Sequence, residues 1–131
     1  MQTGRYTVIE ALNLARTGGY VRARRLLCKL RKQPEFEADA FYGLGLIEWC
    51  QQNSDNAKAY FRKATQVDPS HADAFYQLAK IADSRGDPVT AELYLKSAIA
   101  VKPGHVMAME ALAKHGVIMQ AAATSGRSAP T

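Results

Sequence analysis

Apolar residues recur along this chain at the spacing of three and four that is typical of amphipathic helices. Two consecutive stretches each present one apolar face, formed first by Phe41, Leu44, Gly45 and Ile47 and then by Ala57, Tyr60, Phe61 and Ala64. A polar break at residues 52–56 separates the two stretches. The pattern predicts two helices joined by a short turn, and a connection this short forces the helices to run antiparallel.

The same pattern occurs a second time. Residues 38–71 shifted forward by 34 positions fall on residues 72–105, so that Ala-Asp-Ala-Phe-Tyr recurs at 72–76. In the second copy the polar break contains Gly86, Asp87 and Pro88, which suit a left-handed turn, a helix N-cap and the first helical turn. A fixed shift of this size marks an array of repeats.

The recurring residues resemble the tetratricopeptide repeat. The first helix of that motif carries a large residue, then Leu and a small residue; its second helix carries Ala, an aromatic or Leu, and Ala, and a Pro closes the unit. These roles are filled by Phe41, Leu44, Gly45, Ala57, Phe61, Ala64 and Pro69, and again by Phe75, Leu78, Ala79, Ala91, Leu95, Ala98 and Pro103. The resemblance implies an all-α fold, an α-α superhelix of helix-turn-helix hairpins.

We interpret residues 1–120 as one repeat domain. Its units are 4–37, a degenerate hairpin, then 38–71 and 72–105, followed by a C-terminal capping helix at 106–120. An atypical first unit is expected at the end of a solenoid, where one face meets water. Ser70 is predicted to cap the first helix of the third unit. Residues 121–131, rich in small and polar residues, predict a disordered tail.

The resemblance also implies that the first helix of each hairpin lines a concave groove that binds a protein partner. The matching positions that we select, called the groove residues below, are Leu12, Arg16, Tyr42, Leu46, Trp49, Tyr76 and Lys80. The aromatic and leucine members form an apolar strip that suits a partner peptide or helix. In an alternative interpretation, Trp49 is part of the core, in place of Glu48. A subtype of the family grips chaperone C-termini with Lys, Asn and Arg side chains. The matching positions here all depart from it, so that partner is disfavoured; they are Val8, Leu12, Gly43, Asp73 and Gln77.

Two other kinds of association compete with groove binding. The net charge is +5, and residues 1–34 carry eight cations against the single acid Glu10. A basic ridge on the second helix of the first unit is predicted from helical spacing and comprises Arg22, Arg25, Lys29 and Lys32. Such a ridge attracts an acidic protein, nucleic acid or anionic lipid, or it is a solvated face. No aromatic residue interleaves the cations, which disfavours nucleic acid. Self-association through the ends of the solenoid is the other alternative.

Catalytic chemistry is not indicated by any spacing of residues. The sequence has no Ser/His/Asp or Cys/His constellation and no Gly-rich phosphate loop, so we expect no enzyme and no cofactor. His71 and His105 are predicted to be loop residues roughly 10 Å apart, too far to share a zinc ion. Cys28 and Cys50 match no metal spacing, and we expect free thiols in the cytoplasm. No apolar run is long enough to span a membrane.

Overall fold

The computed structural model describes the backbone of residues 2–127 and the side chains of residues 7–116. Within this part of the chain there are seven α-helices and no strand: α1 (Gln2–Thr17), α2 (Tyr20–Leu30), α3 (Glu37–Cys50), α4 (Ser54–Val67), α5 (Ala72–Ser84), α6 (Pro88–Val101) and α7 (Val106–Arg127), with a short 3-10 helix at Pro34–Phe36. Helices α1 and α2, α3 and α4, and α5 and α6 pack as pairs, and α7 packs on α6. The predicted all-α repeat fold is confirmed.

The turns show that all three hairpins share one register. A residue with positive φ stands in each turn: Gly18 at 98°, Gln52 at 65° and Gly86 at 72°. These residues are 34 positions apart along the chain, so the degenerate first unit follows the same repeat as the other two. Only Gln52 is not glycine, and it adopts a conformation that costs an ordinary side chain about 1–2 kcal/mol.

Side-chain caps begin the helices of the third unit. Asp87 accepts a hydrogen bond from the backbone N–H of Thr90 at 3.2 Å, and Pro88 opens α6, both as predicted. The predicted cap at Ser70 is wrong, because the backbone N–H and hydroxyl of Ser70 both donate to Asp68. His71 caps α5 instead, through its ring nitrogen.

Helix α3 forms the centre of the fold. Every residue from Ala40 to Glu48 is buried, so this helix has neighbours on almost all sides. A Cβ atom at Gly43 would lie 2.6 Å from Leu27 Cδ2, and one at Gly45 would lie 2.6 Å from Phe61 Cε1. Glycine at these two positions therefore allows α2 and α4 to pack directly against the backbone of α3.

The C-terminal helix is longer than the sequence predicted. We expected the capping helix to end at residue 120 and a disordered tail at 121–131, but α7 continues to Arg127. The backbone of 121–127 is therefore a continuation of the helix, consistent with the three alanines at 121–123. Residues 128–131 of the predicted tail lie outside the described residues.

The contact between Gly45 and Phe61 predicts the stability of a set of variants. Gly45→Ala should lower the free energy of unfolding by about 1–2 kcal/mol, because overpacking exceeds the gain in helix propensity. The double variant Gly45→Ala/Phe61→Leu reproduces the residues of the third unit, Ala79 and Leu95. It should therefore be more stable than the two single effects predict when they are added. Urea denaturation followed by circular dichroism measures these values.

Gly116→Ala is the matched control. A Cβ atom there meets nothing within 4 Å, so this change should stabilise the protein, by up to about 1 kcal/mol. A Gly45→Ala variant that gains stability like Gly116→Ala would contradict the packing argument, as would strictly additive effects in the double variant.

Candidate functional site

The groove residues lie on the first helices of the three hairpins, as predicted. Leu12 and Arg16 are on α1, Tyr42, Leu46 and Trp49 on α3, and Tyr76 and Lys80 on α5. The hydroxyl of Tyr42 links α3 to α5, since Gln77 Nε2 donates to it at 3.4 Å. Burial raises the pKa of this phenol, whereas Gln77 and Arg16 of α1 lower it and oppose the shift only in part. Tyr42 is therefore a neutral hydrogen-bonding group at neutral pH.

The groove residues differ in how much surface they offer. Arg16 and Lys80 are exposed, whereas Leu12, Trp49 and Tyr76 are partly buried. Tyr42 and Leu46 are only 4% and 6% exposed, so they cannot act as protruding anchors in this structure. The cause for Tyr42 is its two ring neighbours, Phe61 at 5.6 Å and His71 at 4.9 Å between ring centroids. The predicted apolar strip is thus reduced to its three partly exposed members.

Glu48 is buried beside Trp49, and its carboxylate is satisfied by polar partners. Asn53 Nδ2 donates to Glu48 Oε2 at 2.9 Å, and Arg24 Nη2 lies 3.3 Å from Oε1. Because the carboxylate has these partners, α3 does not need to rotate to remove it from the interior. Trp49 therefore stays at the edge of the core, packed against it and still partly exposed.

Histidine–aspartate pairs connect the first helices of successive units. His71 Nε2 lies 3.0 Å from Asp39 Oδ1, while its Nδ1 accepts the backbone N–H of Ala74 at 3.2 Å. A nitrogen that accepts this bond has no proton, so the neutral ring carries its proton on Nε2 and donates it to the carboxylate. One side chain thus caps α5 and ties it to α3.

The same arrangement recurs one repeat later. His105 Nε2 lies 2.7 Å from Asp73 Oδ1, and His105 Nδ1 accepts from the N–H of Ala108 at 3.1 Å. The ring of His105 also lies against Tyr76, with 5.5 Å between centroids. We call these two arrangements, built on His71 with Asp39 and on His105 with Asp73, the His–Asp joints. A related contact of 2.8 Å joins His115 Nε2 of α7 to Asp83 Oδ1 at the end of α5.

The sequence interpretation missed the joints. His71 and His105 were predicted to be loop residues, but they are helix caps with side chains only 9% and 6% exposed. The signal was present, because Asp39 and His71 recur together as Asp73 and His105 under the same shift of 34. A histidine is an uncommon N-cap, and capping preferences alone do not favour it over the preceding serine.

Three members of the basic ridge, Arg22, Arg25 and Lys29, lie on α2. The prediction that Lys32 lies on the same helix is wrong, because α2 ends at Leu30 and Lys32 follows in a turn. All four side chains are exposed. Part of the positive charge in this helix and the residues after it is engaged within the chain. Arg22 pairs with Glu10 at 2.9 Å, Arg24 contacts Glu48, and Arg31 lies 5.4 Å from the ring centre of Phe41. These contacts leave Arg25, Lys29 and Lys32 as the more available cations of this segment.

The described residues also limit other kinds of site. Among the described side chains, no group of three or more His, Cys, Asp or Glu residues is arranged to hold a metal ion. Within the same part of the chain, no helix combines the length and apolar character that crossing a membrane requires.

Comparisons with known proteins agree with the fold. The family model of the tetratricopeptide repeat matches residues 47–106. The crystal structure of MamA is 25% identical with a TM-score of 0.64, and the match covers 82% of this chain and 66% of that one. The crystal structure of the Yersinia enterocolitica type III secretion chaperone SycD, in complex with a peptide of the translocator YopD, is 17% identical with a TM-score of 0.70. That match covers 97% of both chains. No curated protein sequence matches the chain.

An O-GlcNAc transferase mutant of Thermobaculum terrenum is a third structural match, 20% identical with a TM-score of 0.66. The match covers 86% of this chain but only 22% of the transferase chain. The family match at residues 47–106 falls almost entirely within the second and third hairpins, and the first hairpin shares their 34-residue register. This part of the chain is therefore similar to the tetratricopeptide repeat, and the fold as a whole is similar to that of the solved structures above.

The dual role of His105 predicts a graded series of variants. His105→Ala removes both the cap of α7 and the contact with Asp73, and should lower the free energy of unfolding by about 2 kcal/mol. His105→Asn keeps an acceptor for the N–H of Ala108 but is too short to reach Asp73, so its loss should be about half as large. Denaturation in urea measures both variants.

Asp73→Ala supplies the matched control, because it removes the contact and leaves the cap. A cycle with His105→Ala should give a coupling energy of about 1 kcal/mol. The joint would be energetically unimportant if His105→Ala were as stable as the wild type or if the cycle gave no coupling.

Proposed function

We propose that this chain is a non-catalytic scaffold that binds a peptide or helix of a partner protein in the groove. The observation that carries the proposal is the arrangement of the groove residues on three consecutive first helices. The partly exposed side chains of Leu12, Trp49 and Tyr76 offer apolar contact, and the exposed Arg16 and Lys80 offer charge. Aromatic and arginine side chains in such settings contribute most of the binding energy at protein interfaces.

Preorganisation of the groove supports the proposal. Tyr76 is packed against His105, which is itself fixed between Asp73 and the N-terminus of α7. Lys80 Nζ lies 5.8 Å from the ring centre of Tyr76, so charge and aromatic surface are presented side by side. A receptor whose side chains are already ordered loses less conformational entropy when a partner binds.

Structural likeness gives separate support. SycD has a similar fold over 97% of its chain, and its crystal structure is that of a chaperone in complex with a peptide of the translocator YopD. That complex shows that a solenoid of this size can bind a peptide. From this likeness we infer only that this chain also binds a protein partner, and we carry over neither the chaperone activity nor the identity of the peptide.

The proposal includes no enzyme activity, no cofactor and no metal. It places the protein in the cytoplasm, which agrees with Cys28 and Cys50 being free and exposed thiols. The competing function, an electrostatic adaptor through the basic ridge, is less well supported, because Arg22 is already paired with Glu10. A nucleic acid or membrane partner is disfavoured on the same grounds.

Peptide selection tests the groove. A phage-displayed library of random peptides is selected on the immobilised protein, and the affinity of a selected peptide is measured by calorimetry. Tyr76→Ala and Trp49→Ala should each weaken binding by roughly tenfold to a hundredfold, as expected for anchor residues. Lys80→Glu, an exposed change that should leave the fold intact, should also weaken binding.

Leu93→Ala is the matched control, because Leu93 is 60% exposed on α6, a second helix that does not contribute to the groove. Thermal denaturation of each variant separates loss of binding from loss of fold. Selected peptides that bind Tyr76→Ala and Lys80→Glu as well as the wild type would refute groove binding. If substitutions at Arg25, Lys29 and Lys32 were the only ones to weaken the affinity of the selected peptides, the basic ridge would be the binding site instead.

A further inference from the structure

Helix α7 leaves an apolar stripe uncovered. Val106 is 62% exposed and Met109 is 49% exposed, and Ala113 and Gly116 are exposed as well. The spacing of three, four and three places these residues on one side of the helix. We call these four residues the α7 stripe. Ala108 and His115 on the adjoining side are buried, so the stripe borders the side that packs onto the rest of the fold.

The equivalent positions in the two preceding repeats show what contact the residues at the stripe positions make inside the solenoid. A shift of 34 places the α7 stripe on Ala72, Phe75, Ala79 and Ala82 of α5, and a second shift places it on Ala38, Phe41, Gly45 and Glu48 of α3. All of these are buried except Phe75, which is partly buried. The direct contact of Gly45 with Phe61 shows that α4 covers this side of α3.

The α7 stripe is therefore the side on which a first helix receives the second helix of its own hairpin. Within the described residues no helix follows α7, and the stripe is not covered. Ala113 and Gly116 are small, so they would allow another helix to approach closely, as Gly45 does. The stripe is thus shaped to receive a helix.

We propose that a second copy of this chain covers the stripe, with the two α7 helices packed antiparallel about a twofold axis near Leu112. The charges beside the stripe point to this occupant. Glu110 and Lys114 are both exposed and lie one turn apart on one edge of the helix. Neither takes part in an ion pair among the described residues. They are also symmetric in sequence about residue 112.

Antiparallel packing about that axis places Glu110 of each copy beside Lys114 of the other, which gives two ion pairs at the rim of an apolar contact. A head-to-tail arrangement, in which the α7 stripe of one copy contacts the first unit of the next, has no such charge complementarity. The opposite end of the solenoid carries eight cations against one acid in residues 1–34, and the stripe edge offers no excess negative charge to meet it. The closed, isologous dimer is therefore the arrangement that the charges favour.

Charge reversal tests the arrangement. The mass of the full chain is followed by sedimentation equilibrium over a concentration series, and the wild type should show a reversible monomer–dimer equilibrium. Glu110→Lys alone and Lys114→Glu alone should each weaken dimerisation by roughly tenfold, because each replaces two attractive pairs with two repulsive ones. The double variant should recover wild-type association, since the pairs are only exchanged.

Mixing the two single variants gives the sharpest result. One copy then carries two cations and the other two acids at the interface, so the mixture should form a heterodimer more stable than either homodimer. Met109→Lys should abolish dimerisation, whereas Leu93→Lys, at a somewhat more exposed apolar position on α6, should leave it unchanged. All of these positions are exposed, and circular dichroism confirms that each variant is folded.

Three outcomes would overturn the proposal. The first is a wild-type protein that stays monomeric to its solubility limit, which would leave the stripe for another protein. The second is an open polymer in place of a closed dimer. The third is a double variant as weak as its parents, which would exclude the antiparallel contact. None of these outcomes bears on peptide binding, which is measured separately.

Discussion

The close approach of α2 and α4 to α3 is the constraint on which the rest of the structure depends. Gly43 lies against Leu27 and Gly45 against Phe61, and the two glycines are about 200° apart around the helix. Helices α2 and α4 thus pack on opposite sides of α3. Tyr42, Leu46 and Trp49 lie on the part of the α3 surface between these two contacts. The glycines use the two flanks of α3 for backbone packing and leave this part of the surface, which carries the proposed groove residues, to face the first helices of the neighbouring units.

The His–Asp joints then fix how one unit sits on the next. A helix N-terminus leaves backbone N–H groups without partners, and a capping side chain usually satisfies one of them locally. Here the capping ring also reaches Asp39 or Asp73 in the preceding unit, so the start of each helix and the stacking of the units are set by one residue. Both rings are almost fully buried, and each lies against a tyrosine of the groove residues, Tyr42 or Tyr76, so the packing of the units also fixes these tyrosines.

The sequence predicted the helices and their pairing well because both follow from local periodicity. The shift of 34 placed the turn at Gly86 and the cap at Asp87 correctly, and the same register extends to Gly18 in the unit with the weakest motif. Periodicity could not predict which side chains of the groove residues are exposed. Tyr42 and Leu46 occupy groove positions in the repeat, but their burial depends on neighbours from other helices, such as Phe61 and His71, whose side chains the periodicity does not place. The end of α7 was also missed, because a run of small residues is compatible with either a helix or a disordered tail.

The groove and the α7 stripe are connected through the register of the repeat. Glu110 and Lys114, which would form the rim of an α7–α7 contact, stand where Tyr76 and Lys80 stand in α5. They are therefore the continuation of the groove as well as the edge of the stripe. In a dimer built on this contact, the two grooves would meet at the twofold axis and run away from it in opposite directions. A partner with two binding segments could then occupy both grooves, and the second segment would bind at the high effective concentration set by the first. Association at the end of a short solenoid would in this way lengthen its binding surface without adding a repeat.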